Sequence, residues 1–297
     1  MLSACTTADG SFSLHSGFFD EDFHSSEGAL DEANFKFVRP SQLERFNNSC
    51  QLRVLDVCFG MGYNTAALLT SLRSDSSPTL ECWALELDHR PLEIAVAEPE
   101  FLALWPEPVQ QALLALSERG CWHDLVQRQS VRMLWGDARQ QLGQVPNHLR
   151  FDLIFLDAFS PGKCPQLWSV EFLRQLAEWL APGGRLLTYC RAAAVRNSLL
   201  DAGLELRSLL PKPGMGSGWS SGTLAFRPSG QHQLDPTGPG WSGLSAMEQE
   251  HLLTRAGVPY RDPTGQESAA LILKRRADEQ ASVDRLSTSA WQRKWKT

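Results

Sequence analysis

The sequence predicts an α/β fold of the Rossmann-like kind, with a seven-stranded mixed sheet whose last strand runs antiparallel to its neighbours. Three observations predict it: short apolar runs alternate with helix-length segments, a glycine-rich turn follows the first buried strand, and no helix separates the last two strands. Alternation of this kind implies right-handed βαβ crossovers and a parallel sheet that helices cover on both faces.

The alternation begins at Leu52 with LRVLDVCF, YNTAALLTSL, LECWALEL and HRPLEIAVA. After an insertion rich in Trp, Pro and Leu (residues 98–129) it resumes with SVRMLWGDA, RFDLIFLDAF, a helix around VEFLRQLAEWL, and GGRLLTYC. A helix (AAAVRNSLLDAG), a strand (LELRSLL) and a final strand (SGTLAF) follow, and the last two strands read as a hairpin. The pattern therefore favours a class I methyltransferase core over residues 51–227, rather than a fully parallel dinucleotide-binding sheet.

Two further segments flank this core. Residues 1–50 are polar and aromatic, and we expect them to pack on the functional site. Residues 228–297 form an extension that we expect to be partly irregular with a basic tail.

Composition restricts the possible partners. The 297 residues carry a formal charge of −6, so attraction to a polyanion requires a local basic patch. The seven cysteines are scattered and never spaced C-x-x-C, which favours reduced thiols without a disulfide framework or a zinc site. No apolar run approaches the ~20 residues that span a bilayer. We expect a cytoplasmic protein with no membrane partner and no metal.

The turn in RVLDVCFGMGYNTAALL (residues 53–69) brings backbone N–H groups and a helix N-terminus to a ligand. A dinucleotide fingerprint has a third glycine where this chain has Thr65, after Gly60 and Gly62. The two glycines alone therefore identify no ligand, and a bare strand-to-helix turn remains an alternative at this point.

Carboxylates follow four successive parallel strands, at the edge where ligands bind in such sheets. They are Asp56, Glu86, Asp137 (followed by Ala138) and Asp157. An acid after the second strand suits ribose hydroxyls, and an acid after the third suits the exocyclic amine of adenine. A site so rich in carboxylates would repel a pyrophosphate, whereas it suits the sulfonium and ammonium of S-adenosyl-L-methionine. The residues thus favour this methyl donor as cofactor.

The most specific stretch is FLDAFSPGKCPQLW (residues 155–168), which follows the fourth strand. Asp157, with the main-chain carbonyls before Pro161, is suited to hold a substrate amine. A substrate that arrives as ammonium must lose a proton before methyl transfer, and a carboxylate within hydrogen-bonding reach can accept it. We therefore expect Asp157 to be the catalytic acceptor in an amine methyltransferase.

At this point the sequence resembles the methyltransferase domain of MnmC, a bifunctional enzyme that methylates an aminomethyl group on the wobble uridine of tRNA. The resemblance spans most of residues 6–227, and its carriers are TADGSFSLHS, DFHSSEGALDEA, FGMGYN, GDA, FLDAFSPGKCPQLW and PGGRLLTY. It implies that S-adenosyl-L-methionine is held by Gly60, Gly62, Glu86 and Asp137, and that Phe23, His24 and Ser25 form a lid or wall of the site, although an N-terminal cap or core contact is an equal alternative for His24. We also expect Asp56, Asn64 and Ala138 to contact the cofactor, and Phe159, Pro161 and Lys163 to contact the substrate.

The chain departs from the family pattern in three places. Asp56 stands where the family usually has glutamate, and Cys58 stands where it usually has glycine. The basic stretch after the sixth strand is replaced by KPGMGSGWSSG (residues 212–222). The FAD-dependent oxidase partner is missing, so we expect another enzyme to supply the aminomethyl substrate.

Three hypotheses follow from these residues. The first is N-methylation of wobble 5-aminomethyl-(2-thio)uridine in tRNA, the second a small-molecule amine methyltransferase or aminopropyltransferase-like enzyme, and the third a non-catalytic RNA-binding module. Binding of tRNA requires that basic residues converge near the site; the candidates are Lys36, Arg39, Lys163, Arg191, Arg196 and Lys212. The basic end of the chain, with Trp291 and Trp295, either stacks on bases or is a solvated tail.

Overall fold

Each of the seven apolar runs interpreted above as a strand is a strand in the computed structural model. The structure describes residues 1–25, 28–212 and 219–295. The chain divides into two units, Met1–Phe159 and Ser160–Thr297. The domain boundaries predicted near residues 50 and 227 remain a prediction.

The first unit begins with a small antiparallel sheet followed by a short helical segment. The strands, in the order β1-β2-β3, are β1 (Leu2–Thr6), β2 (Phe12–Ser16) and β3 (Glu21–Asp22). The helical segment comprises α1 (Ala29–Glu32), a π-helix (Ala33–Val38), α2 (Arg39–Ser41) and a 3₁₀ turn (Leu43–Arg45). Leu14 and Phe37, which are 1% and 0% exposed, anchor these two elements in the core of the unit.

Five further strands of the first unit lie in the order β8-β4-β5-β7-β6. They are β4 (Gln51–Val57), β5 (Thr79–Glu86), β6 (Cys121–Asp124), β7 (Gln129–Trp135) and β8 (Phe151–Leu156). β8, β4, β5 and β7 are parallel, and β6, which the sequence reading missed inside the insertion, pairs antiparallel with β7. In this register Asp56 lies opposite Ala84 and Phe155, so the carboxyl ends of the parallel strands share one edge.

Helices complete the first unit. They are α3 (Tyr63–Ser71), α4 (Arg90–Ala97), α5 (Pro99–Ala103), α6 (Glu107–Arg119) and α7 (Ala138–Gln141), followed by a 3₁₀ turn (Leu142–Gln144). Prolines occupy the first turns of α4, α5 and α6, where a missing N–H costs nothing. Gly120, with φ +68°, ends α6 in the left-handed region that favours glycine.

The second unit contains four strands in the order β12-β10-β11-β9. They are β9 (Leu180–Thr188), β10 (Glu205–Leu209), β11 (Gly222–Phe226) and β12 (Trp241–Ser242). β11 pairs antiparallel with both β9 and β10, as predicted for the last strand of the core. The short strand β12, which was not predicted, adds to the other side of β10.

The helices of the second unit include three from the C-terminal extension. They are α8 (Val170–Trp179), α9 (Ala193–Asp201), α10 (Ala246–Leu252), α11 (Ala269–Ser282) and α12 (Thr288–Trp295), with 3₁₀ turns at Pro165–Trp168 and Arg255–Gly257. Trp291 is 5% exposed and its ring stacks on His251 at 4.2 Å. The hypothesis that Trp291 stacks on bases is therefore wrong, because the residue is part of the folded unit.

Arg196, one of the predicted tRNA-contacting cations, is also buried in the second unit. Its Nη1 lies 2.8 Å from Glu248 Oε1, and Nε donates to Thr223 Oγ1 at 2.9 Å. A buried charge is tolerated only when it is paired and hydrogen-bonded in this way. The prediction that Arg196 faces a polyanion is therefore wrong.

Among the described residues, no helix combines the length and apolarity that crossing a bilayer requires. Within the same residues, no group of three or more His, Cys, Asp or Glu side chains is arranged to hold a metal ion.

Candidate cofactor and amine site

The turn after β4 contains three residues with left-handed backbone conformation, at alternate positions. Cys58, Gly60 and Gly62 have φ values of +69°, +57° and +89°. A Cβ on Gly62 would lie 2.8 Å from the Phe59 ring, so this glycine is required by packing. A Cβ on Gly60 would instead meet Phe23 Cδ1 at 3.4 Å, in ordinary contact. The two predicted glycines thus differ: Gly62 closes the turn on the core, and Gly60 faces the N-terminal segment.

Glu86 connects the end of β5 to this turn. The Gly60 N–H donates to Glu86 Oε2 at 2.7 Å, and the Asp88 N–H donates to Oε1 at 3.0 Å. Burial raises the pKa of Glu86 above its ordinary value, and these backbone hydrogen bonds oppose that rise. The carboxylate keeps part of its surface exposed and has lone pairs left for a ligand hydroxyl.

Asp137 caps α7, accepting a hydrogen bond from the Arg139 N–H at 3.0 Å. The Arg139 guanidinium also grips the carboxylate, with Nη2 at 2.6 Å from Oδ2. Asp88 and Arg90 repeat the arrangement at the start of α4. Asp137 therefore presents an oriented carboxylate, 28% exposed, beside the buried Ala138. The sequence reading missed Arg139, although the two-residue spacing repeated after Asp88 was a visible signal.

Asp56 is fully buried at the end of β4. Thr65 Oγ1 donates to its Oδ2 at 2.6 Å, whereas Oδ1 has no hydrogen-bond partner among the described residues. Burial, reinforced by the charge of Glu86, raises the pKa of Asp56 to about 7. A buried carboxylate with an unsatisfied oxygen, close to the cofactor turn, fits a cationic ligand such as S-adenosyl-L-methionine.

Asp157 follows β8 and is linked to α3. Asn64 Nδ2 donates to Asp157 Oδ2 at 2.8 Å, which joins the first turn of α3 to the fourth acidic strand end. The residue is partly exposed, and burial followed by the charge of Glu32 raises its pKa to about 8. The structure thus brings the predicted acceptor and the predicted cofactor residue Asn64 into direct contact.

The N-terminal segment lies against this edge through Phe23, which contacts the Phe159 ring at 5.0 Å. His24 is held in place by Ser13 Oγ at 2.9 Å from Nδ1 and by the Tyr63 ring at 4.8 Å, and burial lowers its pKa to about 4. These contacts favour the alternative of a core contact for His24. Ser25 Oγ is buried and lacks a hydrogen-bond partner in the part of the chain that the structure describes.

Glu32 and Lys36 form an ion pair that the sequence analysis did not predict. Lys36 Nζ lies 2.5 Å from Glu32 Oε1, and the Ser25 N–H donates to Oε2 at 3.0 Å. The pair is largely buried, so Lys36 is engaged inside the first unit rather than displayed to a polyanion. Its i,i+4 spacing was the available signal.

Pro161 and Lys163 lie in the second unit, directly after Phe159. The Lys163 N–H donates to Ser160 O at 2.8 Å, which forms a tight turn after the FLDAFSP segment. Their predicted role beside the substrate remains a prediction. Residues 213–218 of the loop predicted to replace a basic stretch lie outside the described residues.

Comparisons with known proteins indicate the class of enzyme to which the chain is similar. The profile of a family described as S-adenosyl-L-methionine-dependent methyltransferase matches residues 99–218. The crystal structure of MnmC2 from Aquifex aeolicus is similar over 95% of this chain and 86% of that one, with a TM-score of 0.77 and 28% identity. An uncharacterized protein of Methanocaldococcus jannaschii is 28% identical over 262 residues, 87% of this chain and 67% of its own length.

The bifunctional protein MnmC of Paraburkholderia xenovorans, named for tRNA 5-methylaminomethyl-2-thiouridine biosynthesis, is 26% identical over 223 residues. That alignment takes in 71% of this chain but only 33% of the relative. These matches, together with the fold, the glycine turn after β4 and the carboxylates at the strand ends, define a class I S-adenosyl-L-methionine-dependent methyltransferase. More particularly, the protein is related to the methyltransferase domain of MnmC.

Proposed function

We propose that the protein methylates the aminomethyl nitrogen of 5-aminomethyl-(2-thio)uridine at the wobble position of tRNA. The observation that carries the proposal is Asp157, a partly exposed carboxyl held by Asn64 at 2.8 Å beside the cofactor turn. The substrate class comes from relatives whose names give tRNA 5-methylaminomethyl-2-thiouridine biosynthesis.

The chemistry follows from the proton affinity of Asp157. A primary amine near pH 7 carries a proton and has no free lone pair, so a base must remove that proton before attack. Burial raises the pKa of Asp157 to about 8. Its ionised form, whose share increases as pH rises toward 8, is therefore a stronger base than an ordinary aspartate carboxylate. When bound, S-adenosyl-L-methionine supplies an electrophilic methyl group. The lone pair that Asp157 frees on the substrate nitrogen would then be available to attack that methyl group. Asp157 passes the accepted proton to water.

The cofactor residues supply binding and orientation. We assign the buried, unsatisfied Asp56 Oδ1 to the cationic end of the methyl donor, Glu86 to the ribose hydroxyls and Asp137 to the adenine amine. Gly60 supplies the left-handed conformation of the turn, with φ +57°. Holding nitrogen and carbon in line contributes much of the acceleration in a transfer of this kind.

The proposal requires that the aminomethyl group be formed earlier, by a catalytic centre other than this one. The second candidate is methylation of a small free amine, or an aminopropyltransferase-like reaction. The specific observation in its favour is that Asp56, Glu86 and Asp157 lie at one sheet edge, which suits cationic amines of any size.

The test is direct. Purified protein is incubated with S-adenosyl-L-methionine and tRNA that carries 5-aminomethyl-(2-thio)uridine, and the digested nucleosides are measured by mass spectrometry. We expect a mass gain of one methyl group on that nucleoside, with tRNA bearing unmodified uridine as the control. Methylation of free primary amines together with inert tRNA would replace the proposal with the small-molecule alternative.

A further inference from the structure

Four phenylalanine rings form a connected series that begins two residues after Asp157. Phe159 contacts Phe23 edge-on at 5.0 Å and stacks on Phe19 at 4.4 Å, with an interplanar angle of 25°. Phe19 in turn contacts Phe18 edge-on at 4.9 Å. The series therefore runs from the catalytic segment to Phe18, which is 82% exposed.

Phe18 and Phe19 lie in the turn between β2 and β3, and this turn is held from several sides. The Gly17 N–H donates to Met1 O at 2.9 Å, and the Phe19 N–H donates to Ser16 Oγ at 3.3 Å. The stacking of Phe19 on Phe159 fixes the inner ring. An exposed aromatic on an anchored turn loses little conformational entropy when a flat ligand stacks on it.

The charges around the turn limit which kinds of ligand can bind to Phe18. Asp20, Glu21 and Asp22 follow Phe18 and Phe19 directly, and Asp22 Oδ1 lies 2.8 Å from His15 Nδ1. This local negative charge repels phosphates and anionic lipid surfaces. A ligand that binds here must present an uncharged ring face, with its phosphates directed away from the acids.

We propose that Phe18 and Phe19 form a stacking platform for a nucleobase adjacent to the nucleotide whose amine reaches Asp157. This inference rests on the proposed tRNA substrate and adds the contact that orients the RNA. Base–aromatic stacking tolerates any base, because every base has a π-face. Phe18 is thus a positioning residue, and its effect belongs to RNA binding rather than to the chemical step.

The matched variants separate stacking from simple apolar contact. Stacking on an aromatic ring is worth about 1–3 kcal/mol per base, so Phe18→Ala should raise the KM for tRNA by about 5- to 150-fold. The kcat and the affinity for S-adenosyl-L-methionine should stay unchanged. Phe18→Trp should restore KM, whereas Phe18→Leu, which keeps apolar area without a π-face, should resemble Phe18→Ala. The control is Leu125→Ala, an apolar residue 91% exposed in the turn after β6.

Binding is measured with the Phe18→Trp variant of the full chain. An anticodon stem-loop oligonucleotide should quench the fluorescence that this variant has in excess of the parent. Parent enzyme that fails to methylate tRNA overturns the proposed function itself. Parent enzyme that methylates tRNA while Phe18→Ala keeps its KM, or Phe18→Leu behaves like Phe18→Trp, overturns the platform alone.

Discussion

The two units of the chain carry opposite charge. Met1–Phe159 contains 11 Lys and Arg against 22 Asp and Glu, a formal charge of −11, whereas Ser160–Thr297 contains 17 against 12, a formal charge of +5. The overall value of −6 conceals this sorting. The unit with the carboxylate edge suits cationic reagents, and the other unit is the one suited to a polyanion.

The number of Lys and Arg residues in a unit does not by itself show which of them are available to a polyanion, because several are paired with carboxylates. In the second unit Arg261 is paired with Glu279 at 3.0 Å, Lys294 with Glu250 at 2.6 Å, and Arg275 with Glu267. These ion pairs help to hold helices α11 and α12 in position. The exposed Lys274, Arg285 and Arg293 are better candidates for phosphate contacts.

The largest expected effect comes from removing the proposed proton acceptor of the acidic unit, Met1–Phe159. Asp157→Asn keeps the shape of the side chain and a possible contact with Asn64, but it removes the proton acceptor. We expect kcat to fall by about 10²- to 10⁴-fold, the usual range for loss of an acid–base group. Single-turnover kinetics and calorimetry with S-adenosyl-L-methionine measure the two consequences separately.

The matched control for this change is Asp75→Asn, an exposed carboxylate of the same unit. It should leave kcat unchanged. If Asp157→Asn abolishes cofactor binding while turnover per bound cofactor is normal, Asp157 is a cofactor ligand and its assigned role is wrong.

The second prediction concerns what the acidic edge costs in stability. Burial raises the pKa of Asp56 to about 7 from an ordinary ~3.9, so between these pH values the native state binds more protons than the unfolded state. Stability therefore falls as pH rises through this window. Asp56→Asn removes that loss and should raise the free energy of unfolding at pH 8 by about 4 kcal/mol, with little gain at pH 4.

Urea unfolding of the cofactor-free protein at both pH values measures this difference. Asp75→Asn is the control, because the Asp75 side chain is exposed to solvent. A pH dependence that Asp56→Asn leaves unchanged would show that Asp56 is already ionised and paired in the native state.

The sequence predicts much of this fold because its signals are local. Alternating apolar runs identify all seven core strands, and strand-end carboxylates identify Asp56 and Asp157. The errors arise where a partner is distant in sequence. The sequence suggests that Arg196 is a surface cation, whereas in the structure it pairs with Glu248, which is 52 residues away. Packing of Phe59 and Leu113 requires a glycine at position 62, and the predicted contact of Gly62 with the cofactor stays a prediction.

The third prediction tests whether exposed cations of the second unit, Ser160–Thr297, contribute to tRNA binding. Lys274→Ala, Arg285→Ala and Arg293→Ala together should weaken tRNA binding and reduce its salt dependence by up to about 2 in slope, at ~0.7 per single-stranded phosphate neutralised. Point variants are preferable to truncation before α11, because truncation would also remove the buried Ile272 and Trp291. Filter binding across a salt series gives the slope.

The control removes equal charge from the acidic unit, by Arg73→Ala, Arg119→Ala and Arg132→Ala. It should leave the slope unchanged, and S-adenosyl-L-methionine affinity should stay constant in the variants of the basic unit. Equal effects of the two triple variants would mean that tRNA binding follows total charge and that the sorting has no functional meaning.

The smallest expected effect concerns the charges of Glu32 and Lys36, which influence the pKa of Asp157. The charge of Glu32 raises the pKa of Asp157, whereas that of Lys36 lowers it. Glu32→Gln should therefore move the rise of kcat/KM with pH to lower pH, and Lys36→Met should move it to higher pH, each by less than about 1 unit. Glutamine can still accept the Ser25 N–H, so the N-terminal segment keeps that anchor. A merely structural pair would lower activity in both variants without shifting the profiles in opposite directions, and that result would exclude an electrostatic role for Glu32 and Lys36.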